Sequence, residues 1–162
     1  MLKIALINPQ IPQNTGNIAR LAAGINGRLI LVGKLGFSLD DKYLKRAGLD
    51  YWEYVDLETI DSIQFFLDKY PPDEYYYAMV TKFGNKRYDK IYEDALNNKK
   101  EVLFVFGNET EGLPDSLHSM FKSQRYFIPM NDKHIRSLNL SNSVALVIYD
   151  YLRQMDFRGI NV

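Results

Sequence analysis

The chain contains no cysteine, and that absence removes three chemistries at once. Disulfides, thiolate nucleophiles and cysteine-ligated zinc are all excluded. Histidine is nearly as scarce. Only His118 and His134 are present, and neither stands at a spacing from carboxylates that suggests a facial triad, so no metal site is expected. Net charge is lacking too, because 20 Lys and Arg balance 20 Asp and Glu. A dedicated nucleic-acid binder usually shows a basic excess, although a balanced total can still be sorted onto different faces. No apolar run approaches the ~20 residues that span a bilayer. Met1-Leu2-Lys3 leads straight into a strand and leaves no room for a signal peptide, so a cytoplasmic protein with no membrane partner is expected. Nucleotide fingerprints are missing as well. No G-x-G-x-x-G follows the first strand and no G-x-x-x-x-G-K-S/T occurs anywhere, which disfavours a dehydrogenase or a P-loop NTPase.

What is present fits one domain over residues 1–162, long enough to bury a proper core. Hydrophobic residues make up 46% and charged residues 25%, ordinary for a globular chain, while the 14% aromatic share suits a wide interface or a stacking surface. Apolar or β-branched runs at Ile4–Ile7, Leu29–Val32, Tyr75–Val80, Val102–Phe106 and Tyr126–Ile128 read as strands. Helical patterns lie between them, near 17–25, 41–47, 60–69, 91–96, 114–121 and 142–155. Strands that are apolar throughout and alternate with helices predict an α/β fold, a mostly parallel sheet with helices on both faces.

The polar segments are less ordinary. The run I-P-M-N-D-K-H-I-R-S-L-N-L-S-N-S-V-A-L-V-I-Y-D-Y-L-R-Q, from Ile128 to Gln154, sets a polar knuckle against a helix that is apolar nearly all round. That pattern predicts a buried helix. A helix cap needs one short polar side chain, yet Ser137, Asn139, Ser141, Asn142 and Ser143 are all there, and the surplus points to a site. The early segment N-P-Q-I-P-Q-N-T-G-N-I-A-R, Asn8 to Arg20, precedes a stripe of Ile18, Leu21, Ala22 and Ile25. Asn14 or Thr15 is placed to cap that helix, whose free N–H groups form an anion site. Arg20, about 200° round from Ile18 at ~100° per residue, faces away from the core. Taken alone, this is equally a capped helix with one solvated arginine. The third segment, F-G-N-E-T-E-G-L-P from Phe106 to Pro114, directly follows a strand. Gly107 and Gly112 permit a tight turn and a close approach to a ligand, at the strand end where open α/β sheets bind ligands. It is also compatible with an ordinary strand-to-helix turn with Glu109 and Glu111 in water.

In this order and at this total length, N-T-G-N-I-A-R, G-N-E-T-E-G-L-P and I-P-M…S-L-N-L-S-N-S-V-A resemble the SPOUT class of RNA methyltransferases. The run G-F-S-L-D-D-K-Y-L-K-R-A-G-L-D-Y, Gly36 to Tyr51, is similar to the small YibK-like branch that methylates the ribose 2′-oxygen of the tRNA wobble nucleotide, cytidine or modified uridine at position 34. The resemblance covers nearly the entire chain. It implies a deep trefoil knot at the C-terminal end, an exception to the rule against knots, a homodimer, S-adenosylmethionine as cofactor and tRNA as substrate. Carried over by position, the cofactor contacts are Met79, Gly107, Ile128, Ser137 and Leu138, many through backbone. The polar positions around the reacting centre are Asn14, Arg20, Glu109, Ser137 and Asn139. Asn108 departs from the proline of many relatives. Because a guanidinium stays protonated, Arg20 is expected to hold a phosphate and stabilise a developing alkoxide rather than act as a base. Glu109 is expected either to offset the sulfonium charge or to orient Arg20. For RNA binding, Lys42, Lys45 and Arg46, interleaved with Tyr43, Tyr51 and Trp52, form a candidate patch, with Arg153 and Arg158 as further contacts.

Overall fold

The computed structural model describes residues 1–40, 51–131 and 133–160. Seven strands form one sheet: β1 (Lys3–Ile7), β2 (Arg28–Val32), β3 (Asp56–Ile60), β4 (Tyr75–Val80), β5 (Lys86–Arg87), β6 (Glu101–Phe106) and β7 (Arg125–Phe127). Their order across the sheet is β3-β2-β1-β6-β4-β7-β5, and every pairing is parallel. Two strands escape the sequence pattern. The edge strand β3 reads D-L-E-T-I, with Glu58 and Thr59 in register with apolar residues of β2 and β1. β5 is two residues long, too short to show any period.

Among the described residues, five helices cover the sheet: α1 (Pro12–Gly24), α2 (Ile63–Lys69), α3 (Ile91–Asn98), α4 (Asp115–Met120) and α5 (Leu140–Gln154). Side chains alternate across a strand, and the two cores follow that rule. Ile4, Leu6, Ala78, Val80, Phe104 and Phe106 pack against α1, α3 and α5 on one face. Ala5, Ile7, Tyr77, Met79, Leu103 and Val105 pack against Phe66 of α2 and Leu117 of α4 on the other. Helices on both faces of a parallel sheet is the architecture the sequence predicts. The candidate helix at 41–47, with Lys42, Lys45 and Arg46, lies outside the described residues.

Local chemistry shifts three boundaries. α1 starts at Pro12, whose fixed φ suits a first helical turn, so Asn14 and Thr15 lie inside the helix and cap nothing. α2 starts after Ser62, whose Oγ accepts from the Phe65 amide at 3.2 Å, while Ile60 belongs to β3. α5 is not buried all round. Val144, Val147, Ile148, Tyr151 and Leu152 face the core, but Leu146 and Tyr149 are 38% and 48% exposed. Among the described residues, no helix is long and apolar enough to cross a membrane.

Candidate active site

β4, β6 and β7 end on the same edge of the sheet, and the loops that leave them enclose a cavity of about 360 Å³. Its walls come from Val80–Phe83, Phe106–Leu113, Ile128, Met130 and Ser137–Leu140, with Ile11, Asn14, His118 and Ser143 completing it. Gly107 and Asn108 explain the shape of the middle loop. A Cβ on Gly107 would stand 2.1 Å from the carbonyl carbon of Gly112, so no side chain fits. Gly112 has φ +76, in the left-handed region that glycine tolerates. Asn108 Oδ1 accepts from the amides of Thr110 at 3.0 Å and Glu111 at 2.6 Å, closing the turn.

A chain of hydrogen bonds ties three distant segments together at the cavity. Asn139 caps α5, its Oδ1 accepting from the amides of Ser141 at 2.9 Å and Asn142 at 3.3 Å. That leaves Asn139 Nδ2 to donate to Asn14 Oδ1 at 2.9 Å. Asn14 Nδ2 donates in turn to Glu109 Oε1 at 3.1 Å. Glu109 also accepts from the amides of Gln10 at 2.9 Å and Ile11 at 3.1 Å, so its carboxylate occupies the start of α1 that the sequence suggested as a free anion site. The surplus of polar residues before α5 is partly local. Ser141 Oγ donates to Asn139 Oδ1 at 2.7 Å and Ser143 Oγ to the Asn139 carbonyl at 3.0 Å.

Asn14, Gly107, Glu109, Ile128, Ser137, Leu138 and Asn139 thus come together around one cavity. Met79 does not join them. Strand alternation turns its side chain onto the opposite face of the sheet, fully buried with α2 and α4, and its amide donates to the Gln124 carbonyl at 2.9 Å. Val80 and Thr81 line the cavity in its place. Arg20 lies across the first turn of α5, in a shallow cleft with Asn17, Leu21, Gly24, Ser141, Asn142, Ala145 and Tyr149. Its guanidinium stands 5.6 Å from the Tyr51 ring centroid. Glu109 therefore faces the cavity and Arg20 the cleft. Tyr51 is held to α1, its hydroxyl donating to the Gly16 carbonyl at 3.2 Å, and Trp52 packs on the core, so neither is a loose stacking surface. Arg153 is exposed at the far end of α5 and pairs with Asp150 at 2.9 Å.

Sequence reasoning passed over Lys82, Phe83 and His118, which line the cavity without belonging to any motif. Burial pushes the His118 imidazole below its ordinary pKa, and the charge of Arg125 adds to that. Its Nδ1 is buried without a hydrogen-bond partner. Among the described residues, no cluster of His, Asp or Glu is arranged to hold a metal ion.

This geometry, a parallel α/β sheet with a loop-built cavity at its C-terminal edge, defines an open-sheet α/β protein with a ligand site at its strand ends. The model of the SpoU rRNA methylase family matches residues 1–149, and the chain belongs to that family. A protein of Geobacillus stearothermophilus is 46% identical over 160 residues, 99% of each chain. The tRNA (cytidine(34)-2′-O)-methyltransferase of Polaromonas sp. is 44% identical over 161 residues, covering 98% of this chain and 94% of its own. Among solved structures, one described for 2-OH methylation of C/U34 on tRNA matches with a TM-score of 0.85 at 38% identity, over 98% of each chain. The SpoU methyltransferase AviRb from Streptomyces viridochromogenes, 20% identical, shares the fold with a TM-score of 0.79 over 98% of this chain and 62% of its own.

Proposed function

We propose that the protein methylates the ribose 2′-hydroxyl of the wobble nucleotide of tRNA, using S-adenosylmethionine held in the cavity at the strand ends. The observation that carries this reading is the relay from Glu109 through Asn14 to Asn139, which fixes three motif segments around one cavity. The names of relatives at 38–44% identity supply the substrate.

The cavity suits the cofactor. Val80, Phe106, Ile128, Leu138 and Leu140 give it an apolar wall, the side-chain-free Gly107 brings backbone close, and the buried Nδ1 of His118 has no protein partner and is left for a ligand. When bound, the cofactor would supply an activated methyl group to the ribose oxygen, whose proton would leave to solvent. The protein's task is alignment, which can provide about 7–11 kcal/mol of a barrier. Asn139 and Asn14 hold the α5 terminus, and with it Ser137 and Leu138, against the Glu109 loop. Arg20 binds a phosphate of the target nucleotide from the other side of that terminus and stabilises the oxygen as it loses its proton. A C-terminal knot accounts for the convergence of the three loops. A second copy covers the exposed stripe of α5, with Leu146 and Tyr149, to make the homodimer.

The test is transfer of labelled methyl from S-adenosylmethionine to tRNA from cells lacking this protein, followed by nucleoside mass spectrometry and position mapping. Label on the wobble ribose is expected. Label at another position keeps the chemistry and overturns the substrate, and no label on any RNA despite cofactor binding overturns both. Replacing Arg20 by Lys should cost several orders of magnitude in kcat, because an ammonium cannot reproduce the planar fork; near-wild-type turnover would reduce Arg20 to a bare charge.

A further inference from the structure

We propose that Phe83, with Lys82 beside it, is the platform on which an unpaired base of the RNA stacks at the cavity mouth. This rests on the ribose-methylation reading above. The ring is 62% exposed although it lines the cavity. A scattered surface apolar residue is unremarkable, but this one is held in place from several sides. The Phe83 amide donates to Thr81 Oγ1 at 3.3 Å and the Gly84 amide to the Thr81 carbonyl at 3.1 Å, which makes residues 81–84 a tight turn. That turn lies flat on β7. A Cβ on Gly84 would come within 2.4 Å of the Tyr126 carbonyl carbon, and the Asn85 amide donates to the Arg125 carbonyl at 3.1 Å. His118 meets the ring edge-on, with centroids 5.9 Å apart and planes at 79°. Lys82 Nζ stands 5.0 Å from the ring centroid.

A rigid aromatic face with an ammonium next to it matches a nucleotide, which has a π-face and a phosphate. S-adenosylmethionine also offers a base and a carboxylate, but a ring left 62% exposed at the rim is placed for a base arriving from outside rather than for one held within the cavity. The chemistry demands such a surface, because a ribose inside the anticodon stack is brought to an enclosed methyl donor only when its nucleotide leaves the stack. A base splayed from its neighbours needs a new stacking partner, and the turn supplies one at the rim.

The experiment compares full-length wild type with Phe83→Ala, Phe83→Trp and Lys82→Gln by steady-state kinetics, direct tRNA binding and calorimetric titration of S-adenosylmethionine. Phe83→Ala should raise KM and the tRNA dissociation constant about tenfold or more and leave the cofactor dissociation constant unchanged. Phe83→Trp should keep the wild-type KM, and tRNA should quench emission beyond that of the native Trp52. Lys82→Gln should lower the slope of log affinity against log salt by about one. Weakened cofactor binding in Phe83→Ala with tRNA affinity intact would assign the ring to the cofactor and overturn the platform. Wild-type levels of both would overturn it as well. If wild type itself neither binds nor methylates RNA, the functional reading falls first and takes the platform with it.

Discussion

Asn14 is the only described polar residue besides Thr15 that is buried, and its amide works in both directions. The orientation follows from its neighbours. Asn139 spends its oxygen on the α5 amides and must offer its NH₂ group, whereas Glu109 can only accept. The Asn14 amide, accepting with its oxygen and donating with its nitrogen, satisfies both. Replacing Asn139 by Ala removes a cap and one link of the relay, and should cost about 1–2 kcal/mol in urea unfolding; an unchanged midpoint would show that Asn139 serves ligand alone. The three polar partners were legible through the resemblance of their motifs, and Asn139 also as one of the polar residues too many for a single cap. Which atom faces which was not, since that depends on contacts between residues 95 and 125 positions apart. Met79 shows a finer limit. Its neighbourhood was legible, but whether residue 79 or 80 of an all-apolar strand faces the cavity depends on the helices that cover each face.

The elements differ in how plainly they were written. β1, β2, β4 and β6 are buried on both faces beyond their first residue and therefore apolar from there on, which makes them readable. β3 and β5 sit at the two edges, where half-exposed positions accept charge, and their existence depends on partners rather than on composition. β5 and β7 are joined to α3 by side chains instead. The Tyr126 hydroxyl donates to Asp94 Oδ2 at 2.6 Å, Lys86 pairs with the same oxygen at 2.7 Å, and the Tyr76 hydroxyl lies 2.5 Å from that of Tyr126. Burial pushes the Asp94 carboxyl up, but the hydrogen bonds from Lys86 and Tyr126 outweigh it and hold the group below the usual carboxylate range. Burial likewise raises the Tyr126 hydroxyl, and its bonds to Asp94 and Tyr76 raise it further, so it stays protonated as the donor. A carboxyl lowered on folding stabilises the fold above its unfolded pKa of about 3.9. That contribution is lost as pH falls through the lower folded value. Asp94→Asn should therefore be less stable than wild type at pH 7, with the gap closing below about pH 4 in urea titrations. A gap that persists into acid would mean that shape, not charge, holds α3 to the sheet edge.

At the scale of the molecule, Leu146 and Tyr149 leave an exposed apolar stripe on α5. Light scattering should give twice the chain mass for wild type and half that value for a Leu146→Glu, Tyr149→Glu double variant, since two carboxylates in an apolar contact cost several kcal/mol. A monomeric wild type would leave the stripe to RNA or to water. The parallel sheet has a further consequence, in time rather than in space. β1 lies between β2 and β6, and Lys3 pairs with Leu103, 100 residues later. At about 5–20 residues per second of synthesis, the first strand waits roughly 5–20 s for its second neighbour. The relay closes later still, because Asn14 must wait for Asn139. A nascent chain therefore carries its first helix half-covered through most of its translation, and the cavity at the strand ends is among the last parts of the fold to exist.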